Sequence, residues 1–583
     1  MKIEKKEISI LRRLLGFTKP YRGFMVIALL SAVISVSFSL LTPILIGKAI
    51  DHIIAPGKVD FRKISVILIY LGCAIGISAL FQWFMTYFTN RITFRIVKDL
   101  RTQTYEKLNK VPLKYIDTNS HGNIINTVVN DIDIISDGLL QGFSQLLTGV
   151  MTIFGTILFM LTINVSIALA VIFLTPLSLF VATFISKRIY RKFSEQSKIR
   201  GEMSGFVEEM IGNQKIVKTF RYEDRSIEKF KEMNSKLHDC GVMAQFYSSM
   251  TNPCTRFING IVYATVGILG AFHVIQGRLS IGQLSSFLSY SNQYTKPFNE
   301  ISGVITELQS AFASVRRVFA ILDQEVEASD EDLIQTMECD GSVVIRDVDF
   351  SYNNENPLIE KLNLQVKPGQ RIAIVGPTGC GKTTIINLLM RFYDADAGEI
   401  DVSGVNIKNI KRRTLHNMYG MVLQETWLFH GTVRDNIAYG KETASEEEII
   451  VAARAAHAHS FIKRLPKGYD TMISEEGDNI SEGQKQLLCI ARVMLTKPPM
   501  LILDEATSNI DTRTEIRIQK AFTKLMEGRT SFIVAHRLST IKESDIILVM
   551  NQGKIIEQGS HEELLEKTGF YANLYNSQFL ETK

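Results

Sequence analysis

The chain has 583 residues, which is too many for a single hydrophobic core and favours two to four domains. Hydrophobic residues make up 46% of it, a high share for a soluble protein and one that fits a chain half embedded in a membrane. The net charge of +5 is small for this length and gives no reason to propose a nucleic-acid partner. Six scattered cysteines without a CxxC pair argue against a disulfide framework or a zinc site and favour a reducing compartment.

The first half of the chain is predicted to consist largely of membrane helices. The segment Ile8–Tyr21 mixes apolar residues with Arg12, Arg13 and Lys19, which is typical of an amphipathic helix at the inner membrane surface. No short apolar core with a cleavage site is present there, so insertion is expected to rely on internal spans. Six apolar runs supply them: Gly23–Gly47, Ile64–Asn90, two spans within Gly138–Ser186, and the spans near Phe257–Gly277 and Ile281–Ile305.

The loops between these spans predict the topology. The segments Arg91–Asp137 and Lys187–Asp239 are long, charged and helical in pattern, and they concentrate Lys and Arg. The positive-inside rule places them in the cytoplasm, although the short loop Lys48–Lys63 is also basic. Six spans then return the chain to the cytoplasm before its second half.

The sixth predicted span is polar, which is costly against lipid and favours a position against protein or a watery cavity. One of its faces carries aromatic and amide side chains at helical spacing: Gln283, Phe287, Tyr290, Tyr294 and Phe298. This face predicts either a pathway lining for an amphipathic substrate, or plain packing with a Lys296–Glu300 pair one turn apart. Arg256, immediately before the fifth span, is open to the same two interpretations.

From Asp323 to Gly341 the composition becomes acidic and polar, as in a linker. Beyond it, short β-branched runs alternate with helical patterns, which predicts an α/β domain with a largely parallel sheet. The predicted domains are a membrane domain over residues 1–322, a linker over 323–340 and a soluble domain over 341–583.

The soluble half contains the segment G-x-x-x-x-G-K-T between an apolar run and a helix-compatible run, the context of a phosphate-binding loop. The loop residues are Gly376, Pro377, Thr378, Gly379, Cys380, Gly381, Lys382, Thr383 and Thr384. Its glycines let backbone N–H groups point at a phosphate, and the following helix adds its positive end. Lys382 is expected to reach the β- and γ-phosphates, Thr383 to ligate Mg²⁺, and Thr384 to bond an oxygen nearer the ribose.

Two further apolar strands end in polar groups. Met500–Leu503 leads into Asp504 and Glu505, and Ser531–Ala535 leads into His536. Beside the phosphate loop, Asp504 would hold Mg²⁺ and Glu505 would orient or deprotonate the attacking water, the division of labour that phosphoryl transfer requires. His536 would contact the γ-phosphate.

Several segments resemble motifs of the ATP-binding cassette (ABC) family. Asn479–Gln486 resembles its signature, Gln424 its glutamine loop, Tyr352 the aromatic residue that stacks on adenine, and Ser508–Asp511 its D-loop. Six spans followed by one cassette is similar to the layout of type I exporter half-transporters, an all-α six-helix domain followed by an α/β P-loop domain. The resemblance implies ATP and Mg²⁺ as ligands, with Gln424 at the metal and the attacking water.

The same resemblance implies a dimer in which two ATP molecules lie between two cassettes. Ser481, Gly483 and Gln484 of one chain would contact the ATP bound by the other. The segments Pro112–His121 and Gly212–Phe220 resemble the coupling helices through which cassette closure moves the spans. The expected role is export of amphipathic molecules, such as drugs, lipids or hydrophobic peptides, across a bacterial plasma membrane with the cassette in the cytoplasm.

The signature departs from the usual Leu-Ser-Gly-Gly-Gln, because Glu482 replaces its first glycine. At about 5 Å and an effective dielectric near 20, a carboxylate repels each unit of phosphate charge by roughly 3 kcal/mol. This combination of intact catalytic motifs and altered signature resembles the catalytic-glutamate half of heterodimeric exporters, whose partner would carry an intact signature. The D-loop residues Asn509 and Ile510 point the same way. A homodimer that functions despite Glu482 is the alternative interpretation.

Other functions are compatible with parts of the pattern. A homodimeric lipid flippase or a peptide exporter is the nearest alternative, although no peptidase domain supports the peptide version. A cassette that gates a channel or regulates a partner would not need Glu505 and His536. An importer is disfavoured, because importer spans and cassettes are usually on separate chains.

Overall fold

The computed structural model describes residues 12–14, 16–55, 58–353, 357–423, 426–474, 479–504, 510–535 and 538–576. Contacts divide the chain into two compact units. The first, the helical unit, comprises Met1–Lys110 and Asn119–Gln324. The second, the cassette unit, comprises Glu325–Lys583 together with the short segment Val111–Thr118.

The helical unit consists of long helices with short connections. In chain order its elements are α1 Arg22–Asp51, β1 Ile53–Ala55, β2 Lys58–Val59, α2 Phe61–Leu108, then α4 His121–Asn126, a π-helical turn Thr127–Asp131, α5 Ile132–Ile163, α6 Val165–Leu174, α7 Pro176–Gly212, α8 Gln214–Thr219, α9 Glu223–Ile275 and α10 Ile281–Leu322; helix α3, Leu113–Thr118, belongs to the cassette unit.

Among the described residues, four helical segments are long and apolar enough to cross a membrane: Lys19–Asp51, Phe61–Leu108, His121–Ile163 and Pro253–Ile275. The predicted fourth span is divided between α6 and α7, where Pro176 occupies the first turn of the new helix, a position that needs no backbone donor. Helix α10, which contains the predicted sixth span, is not among the four because of its many polar residues.

The aromatic face of α10 lies in the interior of the helical unit. Phe287 and Tyr290 are completely buried and Tyr294 is 3% exposed, in one cluster with Leu40 and Met160. The Tyr290 hydroxyl donates to the backbone oxygen of Leu40 on α1. The structure therefore favours packing over pathway lining for these aromatic side chains.

Among its described residues, the cassette unit contains two large sheets and one two-stranded pair, Gly431–Thr432 with Met472–Ile473. Its elements after α3 are β3 Val343–Phe350, β4 Ile359–Val366, β5 Arg371–Val375, α11 Lys382–Leu389, β6 Ala397–Val402, β7 Val405–Asn406, α12 Arg412–Met418, β8 Tyr419–Val422, β9 Gly431–Thr432, α13 Val433–Ala438, α14 Glu446–Ala455, α15 His459–Ile462, β10 Met472–Ile473, α16 Glu482–Thr496, β11 Met500–Asp504, α17 Thr512–Met526, β12 Thr530–Val534, α18 Leu538–Lys542, β13 Ile546–Asn551, β14 Lys554–Gly559, α19 His561–Glu566 and α20 Phe570–Tyr575.

The larger sheet has the order β14-β13-β5-β12-β11-β8 and is parallel except for β14. Its central strands β5, β11 and β12 are largely apolar and buried along most of their length, as expected for strands covered on both faces. The smaller sheet, β4-β3-β6-β7, is antiparallel. Because β5, β12 and β11 are neighbours and parallel, the segments that follow them begin at one edge of the sheet.

Candidate active site

The phosphate-binding loop connects β5 to α11, as the sequence predicts. Gly376 and Gly381 have φ angles of +154° and +101°, which only glycine adopts without strain. A Cβ at Gly376 would overlap the backbone oxygen of Met550, so the close packing of the loop also requires glycine there. The Lys382 ammonium donates to the backbone oxygens of Gly376 at 2.8 Å and Pro377 at 3.0 Å, which holds it within the loop.

The two threonines of the loop face different surroundings. Thr383 is exposed, so its hydroxyl is accessible to a metal ion. Thr384 is buried, and its hydroxyl lies 3.3 Å from the hydroxyl of Tyr352. The Asn387 amide donates to the same Tyr352 oxygen at 3.0 Å. Tyr352, the residue to which the resemblance assigns adenine stacking, is thereby tied to the phosphate loop.

Asp504 ends β11, next to the strand β12 that pairs with the phosphate-loop strand β5. In the register of β11 and β12, Asp504 lies opposite Val534, two residues before His536. A carboxylate and a threonine hydroxyl are oxygen donors of the kind that Mg²⁺ prefers, so Asp504 and Thr383 fit a magnesium ion at this edge. Glu505, His536, Gln424 and the D-loop residues Ser508 and Asn509 lie outside the described residues.

The signature forms the first turn of α16. Ser481 caps the helix: its hydroxyl accepts from the Gln484 backbone N–H at 3.4 Å, and the Gln484 side chain accepts from the Ser481 N–H at 3.0 Å. This reciprocal pair is a capping box. A Cβ on Gly483 would come within 2.5 Å of Thr514 and 2.9 Å of Ile510, so a side chain there would displace the start of α17.

Glu482 is held by two groups of its own cassette. One carboxylate oxygen accepts a hydrogen bond from the Thr426 hydroxyl, and the other lies 3.4 Å from the Lys485 ammonium. The Glu482 side chain is still 51% exposed, whereas that of Lys485 is 18% exposed. The sequence shows that a carboxylate is present in the signature, and the structure adds that it has local partners.

The first predicted coupling segment contributes α3 to the cassette unit. Leu113 packs against the hydrophobic core beneath the phosphate loop. The Tyr393 hydroxyl donates to the Asp117 carboxylate at 2.6 Å, and together with burial this raises the Tyr393 pKa above its ordinary value. The Tyr393 ring contacts the ring of Tyr352 with centroids 5.0 Å apart, edge to face.

Sequence reasoning missed the residues that support the predicted ones. They are Asn387, which bonds Tyr352; Tyr393 and Asp117; and Thr426 and Lys485, which hold Glu482. Only Lys485 left a signal, since it is three residues from Glu482 on one helix face. The other pairs are far apart in sequence and form only in the folded cassette.

Comparison with known proteins agrees with this geometry. Residues 25–298 match the ABC transporter transmembrane region, and residues 359–508 match the ABC transporter domain. The ABC transporter ATP-binding protein YfiC of Bacillus subtilis is 41% identical over 98% of this chain and 94% of its own length. The fatty acid ABC transporter ATP-binding/permease protein of Mycobacterium tuberculosis is 40% identical over 89% of this chain and 82% of its own.

A solved structure of a bacterial Atm1-family ABC exporter with ATP bound superposes with a TM-score of 0.78 at 27% identity, covering 99% of this chain and 100% of the other. The predicted fold class, ATPase activity, ATP and Mg²⁺ as ligands and a multi-pass position in a bacterial membrane are confirmed. With the transmembrane and cassette matches in one chain and a full-length relative at 41% identity, the protein belongs to the ABC transporter family as an exporter half-transporter.

Proposed function

We propose that this chain is the half of a heterodimeric ABC exporter that supplies the catalytic glutamate, Glu505. It would comprise a membrane domain over residues 1–322, a linker over 323–340 and a cassette over 341–583. Its own phosphate loop, with Asp504, Gln424 and His536, would hydrolyse ATP against the intact signature of a different partner. Its own signature would complete a second, weakened nucleotide site on that partner.

Glu482 is the observation that carries this proposal. It occupies the first turn of α16, whose N-terminus is the positive end that a signature turns toward a phosphate. A half-exposed carboxylate there partly neutralises the positive end and repels the phosphate. A homodimer would have this defect at both sites, although each phosphate loop is otherwise complete. A partner with an intact signature gives one fully competent site.

A homodimer remains a second candidate because of Lys485. Its ammonium, 3.4 Å from Glu482, offsets part of the carboxylate charge within the same cassette. Because the carboxylate is half-exposed, water screens the pair, and such ion pairs are typically worth about 1 kcal/mol or less. We therefore favour the heterodimer over a homodimeric lipid flippase or peptide exporter.

The exported molecules are amphipathic, and a lipid-like substrate is the narrower proposal. The related protein of Mycobacterium tuberculosis is named a fatty acid transporter.

The tip of the second predicted coupling segment exposes Ile216 and Phe220, at 56% and 77%. We propose that this apolar tip docks on the cassette of the partner, as the coupling role requires.

Nucleotide trapping tests the proposal. The purified pair is incubated with radiolabelled ATP, Mg²⁺ and vanadate, and the trapped ADP is counted per pair. One trapped ADP per pair, lost when Glu505→Gln is introduced in this chain, is the expected result. Two trapped ADP per dimer of this chain alone would establish the homodimer instead.

A further inference from the structure

A cavity of about 600 Å³ lies within the helical unit, between the helix pair α1 and α2 and the pair α5 and α10. Most of its lining residues carry hydroxyl or amide groups, among them Gln82, Gln145 and Gln293, and none is aromatic. Its size is that of a small-molecule site. The aromatic face of α10 is packed elsewhere, so recognition in this cavity depends on polar groups.

Two opposite charges line the same cavity. Lys296 and Glu300 are one turn apart on α10, a spacing that allows an ion pair. Among the described residues, however, neither side chain forms a hydrogen bond or an ion pair with the other or with any third group. Unpaired charges within a membrane helix are costly and usually serve a ligand or an ion.

Pro297, between the two charges, adds an acceptor to the same wall. Proline has no N–H, so it cannot donate to the carbonyl of Gln293 four residues earlier in the helix. Both Pro297 and Gln293 line the cavity. The wall formed by α5 and α10 thus offers a cation, an anion and uncharged hydrogen-bonding groups close together.

Resting on the export function proposed above, we propose that this cavity binds the zwitterionic head group of an amphiphile, with the anionic group at Lys296 and the cationic group at Glu300. A purely anionic head would be repelled by Glu300, and a purely cationic head by Lys296. A head that carries both charges satisfies both side chains. The hydroxyl and amide groups around them bind its remaining polar atoms.

Binding of a matched series of amphiphiles tests this assignment without nucleotide, so that its result does not depend on the heterodimer proposal. The full-length protein, in uncharged dodecyl maltoside, is titrated with dodecylphosphocholine, dodecyl phosphate and dodecyltrimethylammonium, which share one tail. We expect the zwitterion to bind about tenfold more tightly than either singly charged head, as one extra charge-assisted contact implies.

Variants assign the two contacts. Lys296→Gln should remove the advantage of the zwitterion over the cation, and Glu300→Gln its advantage over the anion. Asn292→Ala, at an exposed position of α10 outside the cavity lining, should keep the wild-type preference. Equal binding of the three heads by the wild type, or an unchanged preference in both charge variants, would overturn the proposal.

Free phosphocholine, tested alongside, separates the sources: if it binds as tightly as the amphiphile, the site takes a soluble zwitterion and the lipid assignment is wrong.

Discussion

At the scale of single residues, Glu482 determines whether the two nucleotide sites of the proposed pair differ. Its carboxylate is at the positive end of α16 and is offset by Lys485 at 3.4 Å and by the Thr426 hydroxyl. Lys485 is therefore the cation that offsets part of the Glu482 charge at this helix terminus. Removing that lysine would leave the carboxylate with one fewer partner.

Lys485→Ala is expected to weaken ATP binding by about threefold at the nucleotide site that this signature completes, the effect of losing a partly solvated ion pair. The measurement is nucleotide affinity of the pair by fluorescent ATP titration. Because Lys485 could also attract phosphate directly, the double variant Glu482→Gln with Lys485→Ala is the control, and it should recover most of the affinity. Equal affinity in Lys485→Ala and wild type would show that the ion pair has no role.

His561 gives the cassette a pH dependence. Burial lowers its pKa below the ordinary 6.5, with a smaller contribution from Lys542, and its Nδ1 lies 2.7 Å from the Tyr571 hydroxyl. The unfolded chain binds this proton more readily than the folded one. The contribution of His561 is therefore complete above the ordinary pKa of 6.5 and is lost as the pH falls from there through the lower pKa of the folded state.

We accordingly expect the urea midpoint of the cassette to fall between pH 8 and pH 5.5, and to fall less in His561→Gln. The chain has two tryptophans, Trp83 and Trp427. A Trp83→Phe background makes Trp427 the sole fluorescent reporter of cassette unfolding. The same pH dependence in the His561→Gln variant would exclude His561 as its source.

At the scale of elements, the crossing of α1 and α10 fixes one end of the helical unit. A Cβ on Gly282 would overlap the backbone oxygen of Gly47. The Asp51 carboxylate accepts from the Gly282 N–H at 2.7 Å and from the Ser280 hydroxyl at 2.6 Å, so the end of α1 caps the start of α10. Small residues allow this close approach of two helix backbones in a membrane.

Gly282→Ala should lower the free energy of unfolding by about 1–3 kcal/mol, the usual cost of overpacking, and the thermal midpoint by a few degrees. Gly76→Ala on α2 is the matched control, because nothing lies within 4 Å of a Cβ built there. Alanine at position 76 should be neutral or slightly stabilising. If Gly282→Ala and Gly76→Ala have similar thermal midpoints, α1 and α10 can move apart without a loss of stability.

The elements also show how far the sequence alone could predict this protein. Uncharged runs of membrane length and buried Ile and Val runs identify most helices and strands, because length and periodicity are local properties. They could not show that Phe287 and Tyr290 face the interior while Lys296 and Glu300 face a cavity, since all four lie on one polar helix. The bond between Asp117 and Tyr393, 276 residues apart, had no local signal at all.

At the scale of the whole molecule, ATP-driven export requires nucleotide binding to be transmitted to the membrane helices. Within the cassette unit, Tyr393 connects Tyr352, the predicted adenine-stacking residue, to α3. Its ring contacts the ring of Tyr352, and its hydroxyl donates a hydrogen bond to Asp117 on α3. Tyr393→Phe keeps the ring contacts with Tyr352 and Phe350 and removes only the bond to α3.

This variant should keep its basal ATP hydrolysis but transport less substrate per ATP, by about twofold or more, because the charge-assisted hydrogen bond between Tyr393 and α3 is lost. The ratio is measured in proteoliposomes as transported substrate against released phosphate. Asp117→Asn, which removes the charge and keeps an acceptor oxygen, should have an intermediate ratio. Parallel losses of both activities would indicate a defect in nucleotide binding rather than in coupling.

ATP hydrolysis most directly tests whether this chain is the catalytic half of an asymmetric heterodimer. It is measured for the purified chain in lipid, alone and co-expressed with a partner half-transporter that has an intact signature. We expect the chain alone to be nearly inactive, the pair to hydrolyse ATP, and Glu505→Gln in this chain to abolish the activity of the pair. If the chain alone hydrolyses ATP at a rate that the partner does not change, the asymmetric heterodimer is contradicted and the working unit is a symmetric homodimer.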